Sequence, residues 1–280
     1  MESGRQRRSL QVYKMRRTAH IGGTHRMRIS DQGMEVLYLT PIEKPQNAES
    51  PRLQFPVVRP LLAGDARYGA AWLVRGEAGI GKSLLALQFA AEGLAQEERV
   101  VFVTADTTPE EIRSRMQGLQ IPIDEAVESG QCHILDAYTG GRQGLDLSDP
   151  PSFLYGIYSA VREMAAPVRV VLDSITPLEA VYTRQEFVQL VQEKNRLLRH
   201  PGVALLDTHL YTRRSGGFPQ SLINSYDLVV DLYRQEGAGT KPPLPYLQIY
   251  KSRGVTAEPG PRRVTLTETG MRVVSDEGEG

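Results

Sequence analysis

The sequence predicts an α/β fold with a mainly parallel central sheet, helices on both of its faces and antiparallel strands at its C-terminal end. Three observations carry that class. Runs that are apolar throughout, at 70–75, 100–104, 132–135, 168–172 and 203–207, alternate with helix-like runs at 82–95, from about 109, at 152–165 and at about 184–199. Strands without polar alternation are buried on both faces, as a helix-covered parallel sheet requires. A glycine-rich loop, GEAGIGKS, joins the first of these strands to the first helix. Beyond residue 226 strands stand alone, at 227–233, 245–251, 262–266 and 271–274, and are expected to extend the sheet with antiparallel partners.

The chain opens on a basic stretch. Residues 1–30 hold eight Arg or Lys against Glu2, a charge of +7, so the rest of this neutral 280-residue chain carries −7. A basic head suits an anionic partner or a solvated terminus. Residues 10–36 also repeat the chain's end: laid on 247–273 without gaps they match at ten of 27 positions, including LQVYKMR on LQIYKSR. Arg17 stands where the second copy has Gly254, so the turn there is expected to differ. Residues 41–60 carry Pro41, Pro45, Pro51, Pro56 and Pro60 among polar residues and read as an extended linker. The expected division is a basic segment at 1–40, that linker, a nucleotide domain at 61–275 and an acidic tail at 276–280.

Hydrophobic content of 40% and charge of 24% are those of an ordinary globular protein. No apolar run approaches the roughly 20 residues of a membrane span, and no signal-peptide pattern opens the chain. A single cysteine, Cys132, sits in a strand-like run and reads as packing, and its lack of a disulfide partner suits the cytoplasm.

The loop at 76–83 fits G-x-x-x-x-G-K-[ST] at every position, between a strand and a strong helix. Gly76, Gly79 and Gly81 permit backbone conformations that turn N–H groups inward around phosphate oxygens, with Glu77, Ala78, Ile80 and Leu84 completing the cradle. The helix start adds positive potential. Lys82 is expected on the β- and γ-phosphates and Ser83 on Mg²⁺. The strand VRVVLD ends in Asp173, placing a carboxylate at the sheet edge where α/β ligands bind, as a second metal-side group. Hydrolysis needs a group that orients water, expected at the end of the strand beside the loop strand. There VVFVTADTTPEEI offers Asp106, as base or as helix-start residue. Thr208 ends the strand at 203–207 as a γ-phosphate sensor, and His209 reads as a hydrogen-bonded loop residue.

Taken together, GEAGIGKSLLALQF, VTADTTPEEI, GQCHILDA, VVLDSITPLEA and LQIYKSRG resemble the RecA-like superfamily and, within it, the KaiC-like ATPases, over residues 55–275. The resemblance implies a RecA-type core, ATP with Mg²⁺ as ligand, and homo-oligomeric, often hexameric, rings. It also implies that Lys251 and Arg253 of the K-x-R-G segment reach the γ-phosphate held by a neighbouring subunit. Such domains usually carry two adjacent glutamates where this chain has Asp106-Thr107, which implies slow hydrolysis or none. Residues 10–36 resemble the closing hairpin of a preceding domain of the same type. Three functions follow: a ring-forming ATPase in signalling or regulation, a non-hydrolysing assembly module, and a DNA-binding recombinase relative using Arg213 and Arg214 of loop 210–225. The acidic core argues against the last.

Overall fold

The computed structural model describes residues 8–18, 22–30, 33–39, 50–139, 144–211, 219–236 and 242–274. Three short strands come first, β1 (Arg8–Gln11), β2 (Thr24–Ser30) and β3 (Gly33–Leu37), forming an antiparallel sheet of their own. A two-stranded ribbon follows, β4 (Arg52–Leu53) with β5 (Ala66–Arg67). The body then alternates strand and helix: β6 (Ala71–Gly76), α1 (Lys82–Ala95), β7 (Arg99–Thr104), α2 (Pro109–Gly118), α3 (Ile123–Glu128), β8 (Cys132–Asp136), α4 (Pro150–Arg162), β9 (Val168–Asp173), α5 (Thr176–Val181), α6 (Arg184–Leu198) and β10 (Val203–Leu210). After α7 (Gln220–Ile223) come β11 (Leu228–Gln235), β12 (Leu244–Ser252), β13 (Arg262–Thr267) and β14 (Gly270–Val273).

Nine strands make one sheet in the order β14-β13-β12-β11-β6-β10-β9-β7-β8. The predicted α/β class holds, with a parallel body and an antiparallel end. Alternate side chains of the apolar strands feed opposite layers. Trp72 and Val74 join α1, α2 and α3 on one face, while Ala71 and Leu73 join α4, α6 and α7 on the other. Helix starts follow local chemistry. Thr108 accepts from Glu111 N ahead of Pro109, and Thr183 with Glu186 forms a reciprocal capping box.

Three expectations need correction. First, β11 runs parallel to β6, so the antiparallel part begins only at β12. Second, β7 does not lie beside the loop strand: β10 and β9 separate it from β6. Third, the stretch read as a linker is not extended through its second half. Leu53, Phe55, Val57 and Val58 are buried, with Phe55 against Trp72 and Phe89, so apolar burial outweighs the proline signal there. Residues 40–49 of that stretch, and 276–280 of the tail, lie outside the described residues.

The terminal repeat is structural. β2 and β3 pair Ile29 with Met34 and Met27 with Val36, and β13 and β14 pair Leu266 with Met271 and Val264 with Val273, the same register at the offset of 237. Leu10 pairs with His25 as Leu247 pairs with Arg262. The expected difference at Arg17 is absent, because Arg17 keeps a left-handed φ of 66° where Gly254 has 81°. A residue with a Cβ is held there against a cost of roughly 1–2 kcal/mol. The first copy lies against α4, with Arg26 3.1 Å from Asp149 and Tyr155 donating to Glu35 at 2.5 Å.

One buried cation ties the α1 layer together. Arg169 of β9 is fully buried and donates to Glu98 at 2.5 Å and to the carbonyls of Phe89 and Gln54 at 3.0 Å each. It therefore links the sheet to α1, to the turn before β7 and to the segment entering the core. Replacing Arg169 by Met leaves Glu98 buried without its cation, and urea unfolding is expected to show a loss of about 3–5 kcal/mol.

Candidate nucleotide-binding site

The loop between β6 and α1 depends on its glycines in two ways. At Gly76 a Cβ would stand 2.3 Å from the Leu232 carbonyl oxygen, so β11 can run this close only beside a glycine. Gly81 has φ 108° and caps α1 without a side chain, which leaves the first-turn N–H groups facing outward. Ile80 is buried and pegs the loop to the core, while Ala78 and Gly79 are exposed. Lys82 donates to the Glu77 carbonyl at 2.7 Å, folding over the loop. Burial pushes the Lys82 ammonium below its ordinary pKa, with Asp173, Asp106 and Glu77 pulling it back. Glu77, Ser83 and Leu84 are half-buried around the same turn.

Asp173 ends β9, buried, and accepts from Thr208 Oγ1 at 2.5 Å, with the Ser83 hydroxyl near enough to favour its charged form. Burial raises its pKa first of all. The two hydroxyls counter that, the Asp106 charge adds to the rise, and Arg115 opposes it. Ser83 and Asp173 thus form the oxygen pair available to a hard divalent cation beside a bound phosphate. Among the described residues no cluster of three or more His, Cys, Asp or Glu could hold a metal.

Asp106 reaches this group despite the two intervening strands, since its carboxylate accepts from Ser174 Oγ at 2.5 Å. Helix α2 is capped by Thr108 instead, so Asp106 is not the capping residue. Thr107 is buried, its carbonyl accepting from Thr104 Oγ1 at 2.6 Å. His209 lies within β10, not in a loop, with Nε2 3.1 Å from Glu179 Oε2. Residues 212–218, including Arg213 and Arg214, are outside the described residues.

Lys251 and Arg253 stand at the opposite edge of the sheet. Arg253 N donates to Asp227 O, and Asp227 N to Ala71 O, at the start of β6. The phosphate loop begins at the far end of that strand, about 16 Å away. Neither residue can serve this chain's own loop. Lys251 Nζ donates to the carbonyls of Ile223 and Tyr226 at 2.9 and 2.8 Å, and burial with the neighbouring Arg253 charge lowers its pKa. The Arg253 side chain is 60% exposed and 4.0 Å from Asp227, which Arg199 also approaches, at 2.9 Å. Both arginines line a cavity of about 240 Å³ between β5 and the end of β12.

A family model for the ATPase KaiC matches residues 60–278. The chain belongs to the KaiC ATPase family. Family membership supports nucleotide binding and the phosphate-loop NTPase class. Among similar proteins is the "Circadian clock oscillator protein KaiC" of Picosynechococcus sp., 23% identical over 278 residues, covering 98% of this chain and 52% of that protein. The KaiC of Nostoc sp. is 29% identical over 221 residues, 75% of this chain and 41% of its own. That of Parathermosynechococcus lividus is 28% identical over 218 residues, covering 75% and 39%. The chain therefore spans about half the length of these relatives, or less.

Two features of this KaiC-family site were not anticipated from sequence. Arg75, immediately before the loop, is buried, bonds Asp231 at 2.5 Å and lies between the Tyr211 and Tyr250 rings. Arg234 donates to the Gly79 carbonyl at 3.3 Å. An arginine inside an apolar strand and a carboxylate 156 residues further along the chain carry no local signal of pairing. The Lys82→Ala chain is expected to bind nucleotide about 10- to 100-fold more weakly, the worth of charge-assisted hydrogen bonds to phosphate, as read by fluorescent-nucleotide titration.

Proposed function

We propose that this protein binds ATP with Mg²⁺, hydrolyses it slowly and assembles into a homo-oligomeric, hexameric ring used in cytoplasmic signalling or regulation. Lys251 and Arg253 of each chain act on the nucleotide of a neighbour. The observation that carries the reading is the separation of the two halves of the site. The cradle, Lys82, Ser83, Asp173 and Thr208 gather at one edge of the sheet, and the basic pair stands a strand length away at the other. A closed head-to-tail ring brings these opposite edges together. No helix among the described residues is long and apolar enough to cross a membrane.

In this reading the loop amides and Lys82 hold the β- and γ-phosphates. Ser83 and Asp173 hold Mg²⁺, which neutralises charge on those phosphates when bound. Thr208, bonded to Asp173, reports on the γ-position. Asp106 orients the attacking water, and Ser174 fixes its carboxylate. Arg253 supplies a planar, permanently charged fork to the neighbour's phosphate.

A second reading, ATP binding that only holds subunits together, draws support from Asp106. Its carboxylate is already engaged by Ser174, and its neighbour Thr107 is buried and not acidic. A DNA-handling role is not favoured, since residues outside the basic head sum to −7.

Phosphate release by purified protein separates the first two. Turnover that falls at least tenfold in Asp106→Asn, with ATP affinity kept, supports hydrolysis, whereas tight binding without turnover leaves the assembly module. The raised pKa of Asp173 sets a pH dependence. Its carboxyl takes up a proton at a higher pH than an ordinary aspartate, so the Mg²⁺-dependent part of ATP affinity is expected to fall on acidification before the usual carboxylate range. Titrations across pH check this, and Asp173→Asn should remove the Mg²⁺-dependent part at every pH.

A further inference from the structure

The two copies of the terminal three-stranded unit share one register but dock by opposite faces. In the C-terminal copy, Met271 is fully buried and its main chain exchanges two hydrogen bonds with the Gln88 side chain of α1, at 2.7 and 3.1 Å. Leu266 and Met271 also close over Gly81, where a Cβ would meet Met271 Cε at 2.8 Å and Leu266 Cδ2 at 3.1 Å. That apolar face therefore covers the first turns of the phosphate-loop helix, and Val264 and Val273 pack into the same cluster.

The N-terminal copy turns its other face inward, with Arg26 and Glu35 bonding α4. Its apolar face points away from the domain. Met34 is 60% exposed where its counterpart Met271 is fully buried; Ile29 is 54% exposed against 45% for its counterpart Leu266, Val36 is 36% exposed and Met27 half-buried. These side chains lie on one face of paired strands, Ile29 opposite Met34 and Met27 opposite Val36.

We propose that this face, Met27, Ile29, Met34 and Val36, is a docking surface for the phosphate-loop helix of a second nucleotide domain of the same type, one whose helix is not covered by a hairpin of its own. The occupant follows from the chain itself, because the same unit in the same register meets such a helix at its other end. Another copy with its hairpin in place is a poorer partner, since β14 already occupies its α1. The inference stands on register and packing and does not depend on hydrolysis, so it is tested without nucleotide.

An acceptor is a full-length chain with its hairpin lifted off α1. Met271→Asp does this, because it places a charge in a fully buried position. Val264→Asp, on the neighbouring strand and equally buried, is a second acceptor should the first fold poorly. Either acceptor also carries Gln88→Cys and, to silence its own face, Met34→Asp. The donor is the full-length Met34→Cys chain; the native Cys132 is buried. Under mild oxidation the expected result is a disulfide-linked dimer of donor and acceptor, with its yield cut about tenfold when the donor also carries Ile29→Asp. A yield no higher than with a Gln88→Cys chain whose hairpin is intact would overturn the proposal. So would a yield indifferent to Ile29→Asp.

Discussion

Asp173 is the point on which the site is hung. Its buried carboxylate ends β9, takes a hydroxyl bond from Thr208 on β10 and has the Ser83 hydroxyl, at the start of α1, near enough to favour its charged form. Three elements that are distant in sequence thereby meet around one carboxylate. Asp106 joins at one remove through Ser174. A buried carboxylate is costly unless hydrogen-bonded, and the groups that lower that cost are the ones a phosphate and its cation would also use. Structural need and binding chemistry coincide there.

The same sheet that assembles the phosphate cradle keeps Lys251 and Arg253 away from it. Parallel strands bring loop ends to one edge, where the cradle lies. The antiparallel return through β12 carries Lys251 and Arg253 back to the start of β6. Asp227 binds that edge together, accepting from Ala71 N and pairing with Arg199. A chain built in this way has its phosphate cradle at one end of the strands and a basic corner, with Arg253 exposed and Lys251 half-buried, at the other.

Much of this was legible in the sequence, for identifiable reasons. Gly76 to Ser83 could be read because the loop's conformations demand glycine at fixed positions, and uniformly apolar runs announce strands covered on both faces. Sheet order could not be read, because periodicity says what a strand buries and not which strand it joins; hence β7 was set beside β6 although β9 and β10 intervene. The prolines of 51–60 suggested an extended path, whereas Leu53, Phe55 and Val58 pack into the core. Short helices such as α3 and α5, six residues each, span too few turns to show a period. The repeat was visible as ten identities, but its opposed docking faces depend on neighbours that no local pattern encodes.

The central claim, that a complete site takes residues from two chains, is tested most directly by mass in solution with and without ATP and Mg²⁺. The account predicts that nucleotide raises the mass of the wild-type protein to a whole multiple of its 31.1 kDa chain, with the Arg253→Ala chain failing to follow. A wild-type protein that binds ATP yet remains a single chain at every concentration would contradict it.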